Sequence, residues 1–290
     1  MTAKHPRDIR NARSQHARNT RDVASRGDQL KSYTSWEPLA DWYDGWMGKD
    51  GSLHHRRLAI PAVLDLLDVR SGEKVLDVGA GQGVLAPHIA RAGANYTGVD
   101  ASPSLLRLAC KHHGNEGRFV LGDARSLHTV PGMREGAFDA AVFLLSIQDM
   151  DPLPSVLESV AWVLRGGGRL VMLMTHPCFR VPRQSGWGWH EERKLHYRRI
   201  DRYLTPLSVP VKEHPGQSRG VSISFHRPLQ QYINTLAQCG LLIDQMKEIT
   251  TYKVNTAESR GTEGLRARAE NMANQEIPLF LGLRARKLEG

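Results

Sequence analysis

Nine residues constrain this chain more than any others: Val75-Leu76-Asp77-Val78-Gly79-Ala80-Gly81-Gln82-Gly83, an apolar run of strand length leading directly into a turn with glycine at every second position. A turn of this kind suits the carboxyl end of a strand in a doubly wound sheet, where glycines let the backbone approach a nucleotide. The flanking sequence agrees. Residues 58–67 read as an amphipathic helix, 74–78 as a buried strand, 84–91 as a helix and 95–99 as a second strand. Ser102 and Pro103 supply an N-cap and first turn for a helix reaching residue 111, and a third strand follows at 118–121. The apolar run 138–144, a helix over 152–164 and an apolar strand at 169–174, after the turn Gly166-Gly167-Gly168, continue the alternation. Strands alternating with helices imply a parallel sheet covered on both faces.

The alternation stops at Thr175. Residues 176–226 are rich in Trp, Tyr, Arg, Pro and Gly without helical period, which predicts a cap insertion rather than another crossover. A helix at 229–238, stopped by Gly240, and a strand at 241–248 resume the pattern. A polar stretch over 250–275 then ends in a helix, and a last strand is read at 277–286.

At 290 residues, 40% hydrophobic and 24% charged, the chain can bury its own core as one domain with an insertion. No apolar run approaches the ~18 residues of a membrane span, and the first thirty residues lack a secretory signal, so a cytoplasmic protein without membrane contact is expected. Three scattered cysteines, Cys110, Cys178 and Cys239, make neither a disulfide framework nor a metal site, and no metal is expected. The net charge of +9 is uneven: residues 1–31 hold eight Lys/Arg against three Asp, leaving 31 basic and 27 acidic groups for the rest. Residues 1–35 therefore read as a basic, solvated tail and 36–57 as an N-terminal lid segment ahead of the main domain, 58–290. Nucleic acid binding through the tail is the less favoured reading of its charge.

A dinucleotide fingerprint would be G-x-G-x-x-G, but Val occupies position 84, which counts against a nicotinamide cofactor. Asp100 ends the second strand about twenty residues on, where a carboxylate can accept from both ribose hydroxyls, and Asp123 follows the third strand. The segments VLDVGAGQG, YTGVDAS, GDA, FDAAVFLLSIQDM and LRGGGRLVMLM, in this order and spacing over roughly residues 58–175, resemble the class I S-adenosylmethionine (SAM)-dependent methyltransferases. The resemblance implies a Rossmann-like, seven-stranded, mostly parallel doubly wound sheet whose last strand is antiparallel. It implies SAM as cofactor and S-adenosylhomocysteine (SAH) as product. On the same resemblance Gly79, Ala80, Gly81 and Gly83 would pass under the SAM methionine and ribose, and Asp77 would hold its amino group. Asp100 would take the ribose hydroxyls beside Ala101 and Ser102, Asp123 and Ala124 would meet the adenine, and Leu144 and Leu145 would line the pocket.

Acceptor residues in such enzymes come from the N-terminal segment, the end of the fourth strand and the segment after the fifth. Here these give Tyr43 as an aromatic lid or as plain packing of its helix on the core, and His54 as a solvated helix start or an acceptor contact. Gln148 and Asp149 occupy positions that often face the acceptor in such enzymes, although Asp149 could equally cap the next helix. The sequence Ser-Ile-Gln-Asp at 146–149 lacks the Asp/Asn-Pro-Pro-aromatic signature of enzymes acting on adenine or glutamine amines. His176 is a candidate proton acceptor or a histidine that only bonds backbone; Arg180 and Arg183 are candidate clamps for an anion and Trp187 and Trp189 stacking surfaces, unless they simply pack the cap; His226 is a second histidine candidate. Cys178 is read as a small hydrophobe, because the covalent RNA 5-methylcytosine mechanism needs a second cysteine after the fourth strand. The expectation is methyl transfer to an oxygen or nitrogen of a small molecule, with oligomeric state open. An RNA or protein methyltransferase docking through the tail, and a SAM-binding protein without catalysis, are the alternatives.

Overall fold

The computed structural model describes residues 36–212, 221–254 and 262–289. The basic tail, 1–35, lies outside the described residues. A short 3-10 turn, Glu37–Leu39, leads into α1 (Ala40–Met47), and a π-helical turn, His55–Ala59, opens α2 (Ile60–Leu67). Then come β1 (Lys74–Val78), α3 (Ala86–Arg91), β2 (Asn95–Asp100), α4 (Pro103–His113) and β3 (Gly117–Leu121). The second half of the sheet follows as β4 (Phe138–Leu144), α5 (Leu153–Val163) and β5 (Leu164–Thr175). After the insertion stand α6 (Leu229–Gln238), β10 (Leu241–Ile249), α7 (Thr262–Glu276) and β11 (Phe280–Lys287).

These strands form one seven-stranded sheet in the order β10-β11-β5-β4-β1-β2-β3, parallel except that β11 runs antiparallel to both neighbours. The chain leaves β1 toward β2 and β3 on one side and places β4 and β5 on the other, so a crevice opens at the carboxyl ends of β1 and β4. The apolar runs are continuous because both faces are covered. Leu76 and Val78 enter the core under α5, whereas Val75 enters the core under α2, α3 and α4. The period of two also sends Asp77 into that second core, where it is 2% exposed.

The sequence reading placed β5 at 169–174, but the strand starts at Leu164 and takes in the glycine turn. Phe138 pairs with Leu164 and Ala140 with Arg169, so residues 165–168 bulge out between two pairs of one ladder, with Gly167 at φ +68°. The last strand begins at Phe280 rather than at 277. Pro278, just upstream, has no N–H to offer a ladder. The insertion consists of two antiparallel hairpins: β6 (Ser185–His190) with β7 (Leu195–Ile200), and β8 (Leu207–Lys212) with β9 (Val221–His226). Strand β9 packs on the turn after β4 and on the N-terminal 3-10 turn, bringing cap and lid segment together over the crevice.

Candidate active site

The glycine turn is pinned by backbone. The N–H groups of Gly79 and Ala80 both donate to the Val99 carbonyl, at 2.8 and 3.0 Å, tying the end of β1 to β2. Gly79, Gly81 and Gly83 have φ of +72°, +55° and +80°. A Cβ on Gly79 would lie 2.7 Å from Ser146 Cβ and Met150 Cε, and one on Gly83 would lie 2.7 Å from the Phe119 ring. Glycine is thus required here by conformation and by space. Ser146 Oγ donates to the Val78 carbonyl at 2.6 Å, closing the loop after β4 against the loop after β1.

Three acids surround this turn. Asp77 Oδ2 accepts from the Tyr96 hydroxyl at 2.8 Å, while Oδ1 is buried with no hydrogen-bond partner. Burial pushes its carboxyl up to about 7, against the Tyr96 bond and with help from the Asp100 charge. Asp100 accepts from the Gly81 and Ser102 N–H groups, each at 2.8 Å, yet burial still raises it. Asp149 stands just past β4; Oδ2 accepts from the Trp36 indole N–H at 3.2 Å. Burial lifts it to about 7, opposed by its bonds to Ser224 and Trp36 and by the charge of Arg227. Tyr43 lies over the turn, with Cε1 3.8 Å from where a Gly81 Cβ would sit, and its ring is 5.3 Å from that of Trp36. Its hydroxyl is held well above the usual phenol range by burial and by the charges of Asp100, Asp149 and Asp77. One aromatic side chain therefore touches the fields of all three acids.

Residues not singled out from the sequence hold this arrangement. Glu37 accepts from Ser102 Oγ at 2.5 Å, Ser104 N at 3.0 Å and Ser104 Oγ at 2.6 Å, fastening the lid segment to the first turn of α4. Burial works to raise the Glu37 carboxyl, but these bonds outweigh it and leave it lowered. Ser102 also caps α4 through Leu105 N. Arg227 is 6% exposed and donates to Met150 O and Asp151 Oδ1, bracing the loop that carries Asp149. Local sequence gives no signal for these contacts, which join segments 65 to 77 residues apart.

Other candidates have partners of their own. His176 is a tether rather than a free base: Nδ1 accepts from Cys178 N–H at 3.2 Å and Nε2 faces Glu248 Oε1 at 2.9 Å. With the accepting nitrogen committed to backbone, no lone pair remains for a substrate proton. Asp123 caps a 3-10 turn and is gripped by the Arg125 guanidinium through both oxygens, because an arginine two residues on folds back over its own cap. Ala124 is buried beside it. Leu144 is buried, and Leu145 has φ +57°, a strained value at the point where the crevice opens. Gln148 donates to Leu145 O at 3.2 Å, and its Oε1 is buried without a partner.

In the cap, Trp187 is gripped by Arg180 and Arg198, whose guanidinium carbons lie 5.2 and 5.3 Å from its ring. Trp189 lies under Arg266 and bonds Glu191, and Arg183 donates to Pro210 O. His226 Nε2 bonds the Tyr203 carbonyl at 2.8 Å. The cap's cations and rings therefore satisfy one another. His54 lies against Tyr252, with ring centroids 5.2 Å apart.

SAM is a cation with an ammonium, two ribose hydroxyls and a planar base. The unpartnered Oδ1 of Asp77, Asp100 on the glycine-turn amide and a turn whose glycines project no side chain of their own fit such a group. Comparison with known proteins agrees. Residues 76–172 match the family model described as a methyltransferase domain. Over this third of the chain the protein is similar to the methyltransferase domain. Over 129 residues, 43% of this chain and 49% of the relative, it is 37% identical to a demethylmenaquinone methyltransferase of Tropheryma whipplei. It is 28% identical over 130 residues to a ubiquinone biosynthesis O-methyltransferase of Xanthomonas axonopodis, covering 44% of this chain and 54% of that protein. The chain thus spans about half the length of these curated relatives. A SAM-dependent methyltransferase structure from Mesorhizobium loti superposes with a TM-score of 0.62 at 25% identity, covering 83% of this chain and all of that one. The matched residues 76–172 contain Asp77, the glycine turn, Asp100 and Asp149.

Proposed function

We propose that this protein transfers the methyl group of SAM to an oxygen or nitrogen of a small-molecule acceptor held between the loop after β4, the lid segment and the cap. The observation that carries the reading is Asp77: a carboxylate 2% exposed, with one oxygen unpartnered, is kept at the end of β1. Such a group is costly unless a cation occupies the space beside it. SAM brings a methyl group already activated on a sulfonium, so the protein's task is to align the acceptor and exclude water. Tyr43 and Trp36 cover the glycine turn and do the latter. Asp149, with a carboxyl near 7, takes the acceptor's proton; the Trp36 N–H and Ser224 fix its orientation. The names of the quinone-pathway relatives support a planar acceptor.

The test is a titration with SAH, followed by incubation with methyl-labelled SAM and a lysate separated into small molecules, RNA and protein. Micromolar SAH binding that Asp77→Asn weakens, with label among the small molecules, is the expected result. Label in RNA or protein moves the acceptor to the macromolecular alternative, and SAH binding without label from any fraction leaves a SAM-binding protein.

A further inference from the structure

A recess lies past the end of β10. It is a groove of about 550 Å³ lined by Arg57, Tyr252, Lys253, Val254, Glu270 and Asn274. Strand β10 runs parallel to β5, because β11 is antiparallel to both, so Tyr252, three residues past the end of β10, sits at the same edge of the sheet as the glycine turn. Arg57 belongs to the π-helical turn that opens α2, a form of helix that recurs at functional sites. A file of rings leads from one place to the other. Tyr43 and Trp46 lie 6.1 Å apart and Trp46 and His55 6.5 Å; the residue before His55 in the chain, His54, has its ring 5.2 Å from that of Tyr252.

The groove's chemistry is cationic. The Arg57 guanidinium lies over the Tyr252 ring, 5.1 Å from its centroid. A guanidinium that stacks on a ring keeps its in-plane N–H groups free for a bidentate oxyanion. Among the described residues no carboxylate pairs with Arg57 or Lys253. Glu270, the one acid in the wall, has contacts of its own. The field of Lys253 already reaches His54, whose imidazole is held below its usual range by burial and then by that charge.

Resting on the methyltransferase reading, we infer that the Arg57–Tyr252–Lys253 groove binds the carboxylate or phosphate group of an anionic acceptor whose reacting end lies toward Asp149. Arg57 grips the oxyanion edge-on, Lys253 adds a second positive charge, and Tyr252 fixes the guanidinium plane. The site selects acidic small molecules over neutral ones of the same shape.

The experiment uses the full chain with phenyl phosphate, inorganic phosphate and uncharged phenol as probes, read by thermal midpoint in the presence and absence of SAH. The variant is Arg57→Gln/Lys253→Gln, two exposed side chains whose loss leaves the core untouched. Phenyl phosphate is expected to raise the midpoint of the wild type, phenol to leave it unchanged, and the variant to lose the rise, while SAH stabilises both proteins equally. An equal rise in wild type and variant puts the anion elsewhere, the basic tail included, and overturns the site. If SAH stabilises neither protein, the methyltransferase reading falls by itself, whatever phosphate does. Label transfer separates the two sources of anion. A fall of at least tenfold in small-molecule label with the variant assigns the groove to the acceptor. Unchanged label beside a lost phosphate effect means that a free anion occupies the groove, and the acceptor assignment is withdrawn.

Discussion

A carboxyl group raised on folding has a definite signature in pH. Asp77 and Asp149 sit near 7 in the folded protein, against an unfolded value close to 4. The stability linked to each is whole below about pH 4 and is lost as pH climbs through about 7, because the unfolded chain ionises first. Asp77→Asn removes that loss while keeping the shape and an acceptor for the Tyr96 hydroxyl. It is expected to raise the urea-derived stability by about 1–3 kcal/mol at pH 8 and to change little at pH 4. In the same variant SAH affinity falls roughly tenfold or more, the scale of a lost charge-assisted hydrogen bond. Opposite signs for stability and binding mark a functional acid; a variant that is less stable at pH 8 and binds SAH normally would refute this. Asp149 has its own reporter in the Trp36 indole N–H, whose nitrogen-15 resonance should titrate with a midpoint near 7 and go flat in Asp149→Asn. At this scale the positions of Asp77 and Asp100 were legible in the sequence because they close strands, and that of Asp149 because it follows one, at the edge of a doubly wound sheet where ligands bind. His176 was not legible as a tether, because Glu248 lies 72 residues away and reaches it only through β10.

At the scale of elements, the turn after β1 and the lid make separate demands. Gly79→Ala forces an L-residue to φ +72° and drives a methyl into Ser146 and Met150, whereas Gly81→Ala meets nothing nearer than Tyr43 Cε1 at 3.8 Å. Denaturant unfolding should show Gly79→Ala costing about 2–4 kcal/mol and Gly81→Ala about 1 kcal/mol. The order of the two is the test. Glu37→Ala leaves the sheet intact and unfastens the lid from Ser102 and Ser104, so SAH should dissociate several-fold faster with the thermal midpoint shifted by only a few degrees. A dissociation rate equal to wild type would show that the lid is held elsewhere. The sheet was legible because each parallel strand is an apolar run covered on two faces. The cap hairpins were not: in Ser185-Gly186-Trp187-Gly188-Trp189-His190 glycines replace the usual β-branched residues, and Gly188 is there because a Cβ would strike the Tyr197 ring. Its rings are held by arginines from other segments rather than by a core, and no local pattern announces that.

For the whole molecule, lid and cap meet at one carboxylate. Trp36 reaches Asp149 from the N-terminal segment, Ser224 reaches it from β9, and Arg227 braces the loop beneath. An acceptor approaching Asp149 would meet these covers, whereas the glycine turn is pinned to β2. The remaining large-scale feature is charge: residues 1–31 carry a net +5 and the other 259 only +4. Long-range attraction for a polyanion should thus reside in the first 31 residues, and the folded body should be close to indifferent. Removing residues 1–31 is expected to leave SAH affinity within twofold and to flatten the dependence of RNA binding on salt. Each lost phosphate contact takes about 0.9 from the slope of log K against log salt for duplexes and about 0.7 for single strands. If methyl label in the small-molecule fraction survives the deletion, docking and catalysis are separate properties of the chain. If label appears in RNA and vanishes with the tail, the basic segment selects the substrate, and the cap then closes over a nucleotide rather than over a free acceptor.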